Sequence, residues 1–134
     1  MEKLFEKPFG SVVYEPEHNI CYLAIVGSPS FEEYKMIWLT GLDHATKRSS
    51  RRIIVDLSKM QKSGIDSKAW LVTSYLPKAR KALGDNLKIA VLYSKSLFAR
   101  IGTDYVVSAV KAVSRIEFKF VNSIEEAHAW IIQI

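Results

Sequence analysis

The stretch RRIIVDLSKMQKSGIDSKAW, residues 51–70, runs from an apolar β-branched segment through a polar loop into a helix-like restart. Ile53, Ile54 and Val55 read as a buried strand, because branched side chains suit a pleated and covered surface. Asp56 and Ser58 mark its end. Ser63 and Gly64 then read as a turn, and Asp66, Ser67 and Lys68 as a helix start with Asp66 or Ser67 as the capping residue. A covered strand that leads straight into a helix is the unit of an α/β sheet, so the flanking chain is expected to repeat it.

Upstream, SVVYEPEHN (11–19) reads as a strand entering a turn, and ICYLAIV (20–26) as a second strand in an antiparallel hairpin with the first. The second is apolar at almost every position, which predicts helices on both faces of the sheet. Ser30 followed by Glu33 forms a capping box, and Phe31, Tyr34, Trp38, Leu42 and Ala45 recur at the three- and four-residue spacing of one helix face. Downstream, residues 67–83 suit a helix with Trp70, Leu71 and Tyr75 inward. Pro77 is expected to kink or end that helix, leaving KARKALG as a separate turn closed by Gly84. LKIAVLY (87–93) reads as the fourth strand. SLFARIGTDYVVSAVKAV (96–113) reads as a helix, EFKFV (117–121) as the fifth strand, and Ser123 with Glu126 as the capping box of a last helix carrying Ala127, Trp130 and Ile131.

The order β-β-α-β-α-β-α-β-α predicts one α/β domain over residues 1–134, a five-stranded mixed sheet with mostly parallel strands and four helices. Right-handed crossovers make strands two to five of that count parallel and leave the first antiparallel. Ligands of open α/β sheets bind outside the carboxyl ends of the strands, where helix N-termini also point. Gly27 to Ser30, Asp56 to Asp66, Tyr93 to Ser96, and Asn122 with Ser123 are expected at that edge.

Composition narrows the function classes. Hydrophobic residues are 49% of the 134 and charged residues 25%, the balance of a folded domain and not of a disordered one. The net charge of +5 raises nucleic acid as a partner, yet the bases cluster only at Lys47, Arg48, Arg51 and Arg52 and at Lys78, Arg80 and Lys81. No RNA-binding aromatic signature, helix-turn-helix glycine pattern or finger spacing accompanies them, so no specific nucleic-acid partner is expected. The lone Cys21 excludes an internal disulfide and suits a reducing compartment. MEKLFEKPFG mixes acids, bases and Pro8, unlike a signal peptide, and no run approaches 18 apolar residues. A cytoplasmic protein without a membrane span is the expectation.

No catalytic, metal or cofactor constellation stands out. His18 falls in a turn, His44 in the second half of a helix and His128 in the last helix, none at the expected edge and none with a close partner for a metal; His44 stands beside Asp43, but helix neighbours point roughly 100° apart. There is no Gly-x-Ser-x-Gly elbow and no Gly-Lys-Ser/Thr, and Gly27, Gly64 and Gly102 stand alone. What remains is a polar edge of Asp56, Ser58, Ser63, Asp66, Ser67 and Lys68, an interaction or phosphate-accepting site, although turns and caps also call for these residue types. Trp38, Trp70 and Tyr75 are the candidate lining of a pocket between sheet and helices, or equally a core stripe.

The motifs IIVDLS (53–58) and IDS (65–67), with the alternating element order across nearly the whole chain, resemble the STAS or SpoIIAA-like family of anti-sigma-factor-antagonist domains. That family has Asp-Leu-Ser at a strand end and Asp-Ser-Ser-Gly at a helix start. Here the loop is about two residues longer, and Lys68 and Ala69 replace the second serine and the glycine. By the resemblance the second serine is the phospho-acceptor, so Lys68 removes it, leaving Ser67 as a substitute or Lys68 as a fixed positive charge. Trp70 and WLVTSYLP look closer to a divergent bacterial SpoIIAA-like group, sometimes placed with lipid-transfer-like domains of the CRAL-TRIO kind. The resemblance implies a non-enzymatic regulatory module that docks a protein through residues 56–68, with a small amphipathic or anionic ligand as the rival. A homodimer is compatible with either.

Overall fold

The computed structural model describes residues 1–61, 65–93 and 116–133, without the side chains of Ile65, Asp66, Lys68 and Tyr93. Six strands form one sheet in sequence order: β1 (Glu2–Lys7), β2 (Gly10–Glu15), β3 (Ile20–Ile25), β4 (Arg52–Leu57), β5 (Lys88–Tyr93) and β6 (Glu117–Val121). β1–β2 and β2–β3 are antiparallel, and β3 to β6 are parallel, as right-handed crossovers demand. The register aligns Val12, Leu23, Val55, Val91 and Phe120 as one row across the sheet.

The expectation of five strands is corrected by β1. EKLFEK carries charged residues at four of six positions, as edge strands do. A register shift between Lys3 and Phe5 leaves Leu4 as an extra residue, and both Leu4 and Phe5 pack against the core. That bulge breaks the period-two alternation by which a strand is recognised.

Helices cover both faces, which is why the middles of β3 to β5 are apolar, with Arg52, Asp56 and Lys88 kept toward the strand ends. α1 (Phe31–Lys47) packs against β3 and β2, burying Tyr34, Ile37, Trp38, Gly41, Leu42 and Ala45. It comes so close that a Cβ on Gly41 would meet the Leu23 side chain at 2.5 Å. Its start is the expected capping box: Ser30 Oγ accepts from the Glu33 N–H at 3.1 Å, and Glu33 Oε1 accepts from the Ser30 N–H at 2.8 Å. Ser30→Ala should cost about 1 kcal/mol in urea unfolding; a change within the error of the melt would contradict this role.

On the same face, α2 (Ile65–Trp70), a π-helical turn (Leu71–Tyr75) and α3 (Leu76–Leu83) follow one another without a break. Pro77 therefore distorts the helix just before it and does not end it, and the residues expected as a separate turn, KARKALG, are helical as far as Leu83. The π turn, in which the Leu76 N–H donates to Leu71 O, offsets the ladder just before the residue that has no N–H to give. Gly84 closes the helix with φ of 86° and its N–H on Arg80 O at 2.8 Å. Because α2 begins at Ile65, Asp66 and Ser67 lie inside its first turn, and neither is the cap.

On the opposite face, α4 (Ile124–Ile131) sets Ala127 and Ile131 against Ile20, Ile54, Ala90, Leu92 and Val121. Ser123 Oγ caps it through the Glu126 N–H, but the Glu126 carboxylate accepts from Asn122 N–H, one residue earlier than in a full capping box. The helix expected over 96–113 lies outside the described residues. Three helical segments are thus present among those described, against the four expected. None of these helices is long and apolar enough to cross a membrane.

Candidate functional site

The parallel strands bring two of the expected loops together at their carboxyl ends. Gly27, at φ of 70°, donates its N–H to Lys59 O at 3.0 Å and accepts from Gln61 N–H at 2.7 Å, so the loop after β4 is stitched to the end of β3. Met60, only 3% exposed, pins the same loop into the core. Asp56 Oδ1 accepts from the Ser58 N–H at 2.9 Å and from its hydroxyl at 2.6 Å, a turn that the Asp-x-Ser spacing itself encodes. Lys59 and Gln61 remain exposed on this preformed loop. Ser28 beside it is exposed too, and a shallow cleft of about 360 Å³ opens nearby between Phe9, Val26, Pro29 and Glu33.

Ser63 and the segment 94–96 lie outside the described residues, as do the side chains of Asp66, Lys68 and Tyr93. Ser67 is described and buried at 5% exposure, so a kinase would have to open the first turn of α2 to reach it.

Trp38, Trp70 and Tyr75 do converge. Trp38 and Tyr75 are fully buried with ring centroids 4.8 Å apart, and Trp70 meets Tyr75 at 5.9 Å and Tyr34 at 6.3 Å. Trp70 is half-buried and also touches Phe31, which is 36% exposed and carries Lys35 Nζ 4.5 Å from its ring centroid. The cluster thus runs from the core to the surface near the start of α1. Trp38 Nε1 and Tyr75 OH are buried without a hydrogen bond of good geometry among the described residues, although Trp38 still acts on the Tyr34 hydroxyl, lowering its pKa against the larger effect of burial. Burial raises the pKa of the Tyr34 and Tyr75 hydroxyls and of the Cys21 thiol, keeping all three protonated and neutral. Cys21 is for that reason a core residue and no nucleophile.

A cleft of about 800 Å³ opens at the other end of the strands, where Asp85 and Glu117 line it together with Arg51, Arg52, Asn86, Lys88, Ile116 and Gln133. The basic cluster around it is engaged with the chain itself. Arg48 Nη1 donates to His44 O, Arg51 Nε to Leu83 O and Arg52 Nη1 to His18 O, while Lys47 pairs with Asp43 at 3.2 Å.

The reading of the histidines as lacking close partners is overturned at this end. His18 Nδ1 lies 3.3 Å from Glu15 Oε2, and His128 Nε2 lies 3.4 Å from Glu15 Oε1. More than a hundred residues separate His128 from the other two, so only the packing of α4 beside the β2–β3 turn brings them together; no local spacing signals it.

No protein-family model matches the chain, and no curated protein matches it. Among solved structures, an uncharacterized protein from the DUF3478 family of Shewanella loihica PV-4, described as having a SpoIIAA-like fold, superposes with a TM-score of 0.56. The match covers 96% of this chain and 99% of that one at 13% identity, a likeness of fold and not of sequence. With the strand order β1 to β6, the antiparallel start and the parallel remainder, the chain has a SpoIIAA-like fold.

Proposed function

We propose that the protein is a non-enzymatic, cytoplasmic regulatory or interaction module that docks a protein partner through the strand-carboxyl edge around residues 56–68. The observation that carries this reading is the preformed loop from Asp56 to Gln61, tied to Gly27 by two backbone hydrogen bonds and anchored by buried Met60. A loop held this firmly loses little conformational freedom on binding, which is the main cost that flexible loops carry into an interface. Phe31 and the half-buried Trp70, four residues and one helix turn from that edge, supply the aromatic surface on which interface energy concentrates.

The test pairs Phe31→Ser with Lys59→Glu, both at exposed positions. A partner co-purifying from the native cell with the parent protein should be lost from the double variant and kept by Asn86→Glu at the other end of the strands, with melting temperatures unchanged. Equal recovery by all three proteins would count against the edge.

A second reading has its own support in the buried Trp38 Nε1–H and Tyr75 O–H, which lack a hydrogen bond of good geometry among the described residues; Tyr75 is on a π-helical turn, a distortion frequent at functional sites. Two buried donors among aromatic rings suit a small amphipathic or anionic ligand. Native mass spectrometry of protein purified without denaturation would show such a species as a fixed mass increment, absent from Tyr75→Phe. A single apo mass, together with no thermal shift from lipids, nucleotides or phosphates, would rule against it.

A further inference from the structure

Glu15, His18 and His128 are neither part of the proposed docking edge nor explained by the core. Glu15 ends β2, His18 sits in the turn to β3, and His128 is on α4. Their ligating atoms all lie within 4.8 Å of one another. The two imidazole rings stand edge-on, 87° apart with centroids 5.2 Å apart, so they converge on the carboxylate instead of stacking.

We infer that these three side chains form a binding site for a divalent transition-metal ion of the zinc class. Four ligands held tetrahedrally at about 2.0–2.1 Å from zinc stand about 3.3–3.4 Å from one another. His18 Nδ1 and His128 Nε2 each stand at that spacing from one oxygen of the carboxylate, Oε2 at 3.3 Å and Oε1 at 3.4 Å, so an ion between the rings is bound by Glu15 through one oxygen or both. Two imidazoles and one carboxylate form a donor set that suits zinc and its neighbours, and it is too poor in oxygen for calcium or magnesium. Three protein ligands leave a coordination position open to water.

The site is preorganised. The turn that bears His18 is fixed by Arg52 Nη1 donating to His18 O at 2.7 Å and by the Tyr14 hydroxyl donating to Asn19 Oδ1 at 2.7 Å. Asn19 adopts φ of 56° there and donates through Nδ2 to Arg48 O and Ser49 O. The Glu15 side chain is 14% exposed and each histidine 32%, so the ligands are shielded while an ion can still enter. Without metal, the imidazole N–H groups that face Glu15 donate to its carboxylate and hold the trio together; an ion takes their place once each hydrogen has moved to the other nitrogen of its ring, which frees the facing lone pair as a ligand.

The experiment is titration of the full chain, free of any histidine tag and stripped with chelator, with zinc chloride and separately with cobalt(II). The parent protein and His44→Asn should each bind one equivalent of zinc and give the intense visible cobalt band of a four-coordinate site. His128→Asn and the near-isosteric Glu15→Gln should each weaken zinc binding by at least about tenfold. Circular dichroism of the apo variants checks that they remain folded, and Glu15→Gln stands in should His128→Asn fail to fold. Absence of saturable binding in the parent, or binding that both variants retain, would overturn the assignment.

Discussion

Stability is expected to fall steeply as the pH rises above about 10, the ordinary tyrosine pKa. Tyr34 and Tyr75 are buried, and burial pushes both hydroxyls well above that value; for Tyr75 the neighbouring Cys21 and Tyr34 add to the effect. Tyr22, half-buried beside Glu15, is pushed up to about 12, chiefly by burial. Folded pKa values raised above the unfolded ones mean that the native state holds protons that the unfolded chain gives up. The stabilisation is therefore complete below about pH 10 and is lost as the pH climbs toward the folded values. Each buried tyrosine contributes a slope of about 1.4 kcal/mol per pH unit, so two of them over two units rival a total stability of about 5–15 kcal/mol. Urea melts at stepped pH should show this slope, and Tyr75→Phe should flatten it by the share of one tyrosine. A parent protein whose stability is level from pH 10 to 12 would mean that these hydroxyls are hydrated, and the packed aromatic cluster would be wrong.

Trp38→Ala is expected to cost about 3–5 kcal/mol, the range for emptying a buried aromatic site. Trp38 is fully buried on α1 and wedged against Tyr75 and Tyr34, with ring centroids 4.8 and 6.1 Å away. Neighbours so close cannot collapse into the space without leaving their own rotamers. Trp38→Phe should cost much less, because it keeps most of the apolar volume and removes an indole N–H that has no hydrogen bond of good geometry among the described residues. Guanidinium unfolding curves separate the two. Should Trp38→Ala cost less than about 1 kcal/mol, the position would not be core but the wall of a ligand cavity.

The sheet was legible because its central strands break no local rule. Ile53 to Val55 and Ile89 to Val91 are apolar and covered on both faces, and their direction follows from handedness alone. Ser30 and Glu33 announced their helix by chemistry that needs no tertiary partner. What escaped notice depends on contacts between distant parts of the chain. β1 hides its pattern behind the Leu4 bulge, and the helix crosses Pro77 only by widening into a π turn. The loop from Asp56 to Gln61 could be placed at the edge from strand order, but its attachment to Gly27 is set by the pairing of β3 with β4. The Glu15, His18 and His128 cluster lies further still from any local signal, since a turn and a helix from opposite ends of the chain must pack before it exists.

Docking through the strand-carboxyl edge is tested most directly by placing a photoreactive amino acid at exposed Lys59 and, in a second protein, at exposed Asn86, then irradiating living cells. Covalent capture of one defined protein from position 59 and of none from position 86 is the predicted result. No adduct at 59, or the same adduct at both positions, would contradict it.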